Sequence, residues 1–150
     1  MNETEAVLLD TDVFSYLLSN RAPYASLYRA DVEGKLVAVS FITVGEMLFG
    51  AEKKSWGPER VSQLQDALRK VTIVPFDFEV CSAYARIRNA GEKSGISVAP
   101  NDLWIAACAV RHSIPLISNN QAHFEAIAGL QLRSRAAEAR ELLARRKFES

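Results

Sequence analysis

The chain is short of nearly every residue type that marks a specialised structural class. Two cysteines in 150 residues, Cys81 and Cys108, are too few for a disulfide scaffold and form no CxxC pair. Each falls in a helix-like pattern among alanine and apolar neighbours, which assigns both to the core as small apolar side chains. A reduced, cytoplasmic compartment is the simplest setting for them. The only histidines, His112 and His123, lack zinc-ligand spacing and adjoin no nucleophile motif, which leaves no Ser–His–Asp or Cys–His arrangement. No apolar run approaches the ~20 residues that span a bilayer, and the opening MNETEAVLLD has no signal-peptide pattern. A soluble protein without a membrane partner is expected. Eighteen basic side chains balance eighteen acidic ones, so the whole molecule exerts no strong pull on nucleic acid. RNA binding would need a local basic patch.

What is present is the balance of an ordinary folded domain: 49% hydrophobic, 24% charged, and long enough to bury a core. A single domain over 1–150 is expected, with no linker or repeat. Short apolar runs at 6–9, 36–39, 71–74 and 116–117 have the look of strands buried on both faces, and 130–132 of a fifth, edge strand. Between them lie helical patterns. One follows Asp10, a second runs over 25–32, and a third over 41–53 with Ser40 as cap. A fourth opens at Pro58, and a fifth follows Asp77 and ends in a loop over 91–100. Asn101 is expected to begin the next. The alanine-, leucine- and arginine-rich residues 134–147 read as a basic helical tail. Strands alternating with helices predict an α/β fold, a four- or five-stranded mostly parallel sheet covered on both faces. Function in such sheets gathers beyond the carboxyl ends of the strands, where Asp10 and Asn119-Asn120 fall.

Three carboxylates stand alone in apolar stretches. Glu46 is the one charged residue between Lys35 and Glu52, and Asp102 the one between Lys93 and Arg111. Asp10 ends an apolar strand. Burying an ionised carboxylate without a partner is costly, and pairing, protonation or metal coordination are the responses. No basic residue lies near any of the three in sequence. Brought together, each pair would repel by roughly 4 kcal/mol at 4 Å for an effective dielectric near 20. A divalent cation reverses that sign. Oxygen donors without thiolate or clustered imidazole favour Mg²⁺ or Mn²⁺ and suit phosphate ester chemistry. Blander roles compete: Asp12 and Asn101 as helix caps, Asp102 as an acid at a positive helix end, Thr11 and Ser118 as turn or cap residues.

These segments together resemble the PIN-domain family, specifically the VapC-type ribonuclease toxins of bacterial toxin–antitoxin pairs. The resemblance rests on Val7-Leu-Leu-Asp-Thr-Asp-Val-Phe-Ser-Tyr-Leu17, on Ser40-Phe-Ile-Thr-Val-Gly-Glu-Met-Leu-Phe-Gly-Ala51, on Asn101-Asp-Leu-Trp-Ile-Ala-Ala107, and on Leu116-Ile-Ser-Asn-Asn120 with His123-Phe124. It spans about the first 130 residues with the motifs in order. It implies a metal-dependent endoribonuclease in which Asp10, Glu46 (directly or through a water) and Asp102 bind a catalytic Mg²⁺ or Mn²⁺. A fourth acidic position of the family falls near Asn120, preceded by Asn119, so the site relies on three acids. Thr11 and Ser118 fall where the family places small hydroxyl residues. RNA as substrate, a cognate antitoxin and a homodimer are the implied partners, the contacts drawing on helical surface around Tyr16, Leu17, Leu48 and Phe49. Tail residues Arg133, Arg135, Arg140, Arg145, Arg146 and Lys147, and also Arg86, Arg88 and Lys93, are candidate RNA contacts; Trp56 is a candidate stacking residue, and Trp104 suits core packing better.

Two rival readings are set against this. A haloacid-dehalogenase-type phosphatase would use Asp10 as nucleophile and Asp12 as acid, but it requires late acids where Asn119 and Asn120 stand and gives Glu46 no role. A non-catalytic PIN-like module would bind RNA or a protein without cutting, with the amides as its sole support.

Overall fold

A computed structural model describes residues 3–149. Five strands, β1 (Ala6–Leu9), β2 (Leu36–Ser40), β3 (Thr72–Val74), β4 (Leu116–Ile117) and β5 (Leu132–Arg133), form one sheet. Its order is β3-β2-β1-β4-β5 and every pairing is parallel. Helices α1 (Thr11–Ser19), α2 (Tyr24–Val32), α3 (Phe41–Lys53), α4 (Pro58–Arg69), α5 (Phe78–Lys93), α6 (Pro100–His112), α7 (Gln121–Phe124) and α8 (Ala136–Glu149) make the connections and the C-terminal tail. The anticipated edge strand lies two residues later than its apolar run suggested, and the basic tail is helical as far as Glu149.

Strand side chains alternate between faces, and the core divides accordingly. Leu8, Ala38 and Leu116 join Val80, Ala83, Ile105 and Cys108 under α5 and α6. Val7, Leu9, Val39 and Ile117 join Val13, Phe14, Tyr28 and Leu64 under α1, α2 and α4. Full burial of each such side chain contributes roughly 1.5–3 kcal/mol.

Strand register positions the site. Leu9 pairs with Val39 on one side and with Ile117 on the other. Asp10 and Ser118 therefore stand just beyond the ends of β1 and β4, in a row with Ser40, the last residue of β2, which pairs with Val74. Together with Thr43 they are the buried polar and charged residues among those described.

Several local expectations hold. Ser40 accepts from the Thr43 N–H at 3.3 Å, Asp77 accepts from the Val80 N–H at 2.7 Å, and Pro58 opens α4. Others are corrected. The cap of α1 is Asp10, whose Oδ1 accepts from the Val13 N–H at 2.8 Å, and Asp12 lies within the first turn. Asn101 does not cap α6: Pro100 occupies the first helical position after Ala99, leaving Asn101 exposed one residue further in. Cys81 is exposed, because it follows buried Val80 by one residue and so turns about 100° out of the core. The loop expected from Gly91 begins later. Helix α5 continues to Lys93 and stops at Gly95, which has φ +73°. The Gly95 N–H bonds to the Glu92 carbonyl at 3.2 Å and the Ile96 N–H to the Gly91 carbonyl at 2.8 Å, the paired closure of a Schellman motif.

The two glycines should therefore respond differently to alanine. Gly95→Ala forces a Cβ into the left-handed region and should cost about 1 kcal/mol. At Gly91 an added Cβ meets the Ile96 carbonyl oxygen at an ordinary 3.4 Å, so Gly91→Ala should leave stability unchanged or raise it. Urea unfolding of both variants measures this; equal losses would contradict the assignment of the helix end.

Candidate active site

Asp10 is 3% exposed at the end of the central strand. Its two oxygens are held separately, Oδ1 by the Val13 N–H at 2.8 Å and Oδ2 by the Ser118 hydroxyl at 2.5 Å. Ser118 Oγ also accepts the Asn120 N–H at 2.9 Å, so one hydroxyl ties the loop after β4 to the carboxylate after β1. Burial pushes the Asp10 carboxyl from 3.8 up to about 7; the bonds from Ser118 and Val13 oppose that rise, and the charges of Asp12 and Asp102 add to it.

Glu46 lies on α3, one turn after Thr43, so the two share a face. Thr11 donates its hydroxyl proton to Glu46 Oε1 at 2.6 Å. With that proton committed, the 3.0 Å contact between Thr11 Oγ1 and Thr43 Oγ1 is donated by Thr43. Thr11 and Thr43 form a hydroxyl pair aimed at one carboxylate oxygen.

Asp102 occupies the first turn of α6, where the helix dipole favours negative charge. His123 Nδ1 lies 3.3 Å from its Oδ2. Its carboxyl is nevertheless raised, by burial first and then by the charges of Glu46 and Asp12, against the opposing pull of His123. Asp12 is exposed, and its Oδ2 accepts from Asn120 Nδ2 at 2.9 Å. The charges of Asp12 and Asp102 act on Asp10, and those of Glu46 and Asp12 act on Asp102, so these acids lie within electrostatic range of one another. Each is met by its own hydroxyl, amide or imidazole, with no lysine or arginine paired to any of them among the described residues.

Among the described residues, no three His, Cys, Asp or Glu side chains are already closed into one metal-sized cluster. The donor chemistry nonetheless suits a hard cation. The donors are carboxylate oxygens, and an ionised carboxylate offers about four lone-pair sites, so one or two hydrogen bonds leave capacity on each. Asn120 stands beside this group with its amide turned to Asp12. Asn119 faces the other way: its Oδ1 accepts from the Tyr28 hydroxyl at 2.7 Å.

Of the side chains that meet these acids, Thr11, Ser118 and Asn120 were expected beside them, and Thr43 and His123 were not. Thr43, spaced three residues before Glu46, was detectable from helical periodicity. His123 was noted only within a motif, and nothing in the chain order signals its approach to Asp102. Trp104 packs against the core, stacked on Tyr84 at 3.9 Å, as its apolar helix implied. Trp56 is half-buried, with the Arg60 guanidinium 4.0 Å from its ring centre. The tail is less available than its composition suggested. Arg133 pairs with Glu5, Arg135 with Asp31 at 2.8 Å, and Arg145 with Glu141 at 2.6 Å.

Comparisons with known proteins converge on one family. The PIN-domain family model matches residues 7–130. "Ribonuclease VapC2" of Haemophilus influenzae is 31% identical, the match covering 83% of this chain and 93% of that protein. The "tRNA(fMet)-specific endonuclease VapC" of Salmonella typhimurium is 27% identical over 83% of this chain and 94% of its own length. Among solved structures, VapBC2 from Rickettsia felis bound to a promoter DNA fragment superposes with TM-score 0.77 at 25% identity, covering 86% of this chain and 98% of the matched one. The phosphatase reading is not favoured by these matches, and it would need Asp12 as a proton donor, where Asp12 is an exposed acceptor from Asn120.

Removing divalent cations exposes the cost of the buried acid. Because folding raises the Asp10 pKa from 3.8 to about 7, its contribution favours the fold fully below pH 3.8 and is lost as pH climbs through about 7. In EDTA, Asp10→Asn should therefore gain in melting temperature relative to the wild type between about pH 5 and pH 8. A difference that stays constant across that range would contradict the assignment.

Proposed function

This chain belongs to the PIN-domain family, among the VapC-type endoribonuclease toxins of toxin–antitoxin pairs, and we propose that Asp10, Glu46 and Asp102 are the acids with which it cuts RNA. The single observation that carries this reading is the buried, unpaired Asp10 carboxylate at the end of β1, held by Ser118 and within electrostatic range of Asp102. A divalent cation held there, Mg²⁺ or Mn²⁺, supplies a more acidic water and an electrostatic clamp on the phosphodiester.

The residues of the chain do the rest. Asp10 is the fixed ligand, locked by a backbone N–H and the Ser118 hydroxyl. Asp102 supplies a second carboxylate from a helix start. Glu46, held by the Thr11 hydroxyl, would hold the cation directly or through a water, and one of the three acids would orient the attacking water. Asn120 offers an uncharged oxygen at the rim, and holds Asp12 in place. With His123 against Asp102, an imidazole also stands at the edge of the site. Hydrolysis then leaves 5′-phosphate and 3′-hydroxyl ends.

The partners follow from surface chemistry. Of the four apolar residues proposed for contacts, Tyr16 and Leu17 are half-buried, and Leu48 and Phe49 are exposed. Phe76 and Phe78, 70% and 81% exposed at the start of α5, extend the apolar surface a monomer leaves in solvent. Such exposure supports a homodimer. A groove of about 580 Å³, which shares Leu17 and is lined also by Leu18, Val32, Ala67 and Val71, supports docking of an apolar antitoxin segment. No helix among the described residues is long and apolar enough to cross a membrane.

The test is cleavage of a panel of structured RNAs with Mg²⁺, with Mn²⁺, and in EDTA. Asp10→Asn and Asp102→Asn should each lower the rate by about a hundredfold or more, above the 10–100-fold cost of losing a ligand's outer partner. Glu46→Gln should lower it less. Cleavage that persists in EDTA, or in Asp10→Asn, would overturn the assignment.

A further inference from the structure

Three consecutive residues after β4 each hold a different group. Ser118 bonds Asp10, Asn120 bonds Asp12, and between them Asn119 accepts from Tyr28. Tyr28 is fully buried on α2, and its hydroxyl has a second partner: it accepts the Arg135 backbone N–H at 2.9 Å. Arg135 in turn grips Asp31, one turn further along α2, through two bonds of 3.0 and 2.8 Å. The Ser118 N–H also bonds to the Arg133 carbonyl at 3.1 Å. The start of α8 is thus joined to the loop 118–120 by the β4–β5 pairing and by a single buried hydroxyl. Residue 135 lies beyond the segment shared with the PIN-domain family model, which ends at residue 130.

A ring placed only to fill the core could be phenylalanine. Burying a hydroxyl costs free energy unless it is bonded, and this one is bonded on both sides. Its proton goes to Asn119 Oδ1, since the Arg135 N–H is itself a donor and occupies a lone pair. Without that proton, the Asn119 carbonyl is left half-buried without its donor, in the middle of the loop that aims Ser118 and Asn120.

We propose that Tyr28 is a positioning residue for the carboxylate site, transmitting the fixed position of the α8 start through Asn119 to the loop that holds Asp10 and Asp12. The proposal rests on the ribonuclease reading above, and deepens it: a segment outside the shared family region sets the geometry of the shared site. Tyr28 touches neither substrate nor cation, and acts through Asn119.

The experiment compares the wild-type chain, Tyr28→Phe, Asn119→Ala, the double variant and Asp31→Asn, at temperatures well below each melting point. Tyr28→Phe should lower kcat for RNA about tenfold, the low end of what an outer partner of a metal-site ligand costs, with KM unchanged. The double variant should be no worse than Asn119→Ala alone, because both remove one interaction. Asp31→Asn, which loosens α8 from outside, should show a smaller loss of kcat in the same direction. In parallel, and without RNA, the Mn²⁺ concentration giving half-maximal thermal stabilisation should rise in Tyr28→Phe and in Asp31→Asn. Additive losses in the double variant, or an unchanged Mn²⁺ midpoint, would overturn the proposal. If Tyr28→Phe does not fold, the Mn²⁺ midpoint of Asp31→Asn decides it. Failure of the wild type to cleave RNA would instead sink the ribonuclease reading, and the Mn²⁺ comparison would still judge Tyr28.

Discussion

The bond between Ser118 and Asp10 is where the sheet and the site become one structure. It exists because β1 lies between β2 and β4 in parallel register, so that the residues following Leu9 and Ile117 arrive side by side. Shifting β4 by one residue would turn Ser118 to the other face of the sheet and leave the Asp10 carboxylate short of a donor while still buried. The same register sets Ser40 beside Asp10 on the other side, where it caps α3 and so fixes the helix that carries Thr43 and Glu46. Packing of the two cores holds the strands in that register. The chemistry at the strand ends is a consequence of burial elsewhere.

Electrostatically the region is an unbalanced one. Burial and mutual repulsion raise the carboxyls of Asp10 and Asp102, and the groups that meet them are hydroxyls, backbone N–H groups, an amide and one imidazole. These donors orient the acids without neutralising them, apart from whatever charge His123 carries. Acids held in that state are what the proposed cation site would draw on. A lysine or arginine in the same place would stabilise the fold and abolish the function. Arg133, Arg135 and Arg145 pair instead with Glu5, Asp31 and Glu141.

The architecture was legible in the sequence, and three isolated carboxylates stood out in it, because both depend on local contrast. Short apolar runs between helical patterns mark a parallel sheet, and a lone carboxylate in such a run stands out. Errors arose where two residues competed for one local role. Asp10 and Asp12 both suit a helix cap, and the chain uses Asp10 for the cap and the site at once. Gly91 and Gly95 both suit a helix end, and only Gly95 takes the positive φ that the stop requires. Asn101 lost the capping role to the geometry Pro100 imposes. The support behind Asn119 was illegible for a different reason. Tyr28 meets Asn119 across 91 residues and Arg135 across 107, and a tyrosine in an apolar helix gives no sign of where its hydroxyl will find partners.

The central claim is that Asp10, Glu46 and Asp102 hold one divalent cation. Crystals soaked in Mn²⁺ and measured at the manganese absorption edge test it most directly. The account predicts an anomalous peak among these three carboxylates, with Asp10 and Asp102 in direct contact and Glu46 in contact or one water removed. A peak elsewhere on the molecule, with none among the three acids at saturating Mn²⁺, would contradict it.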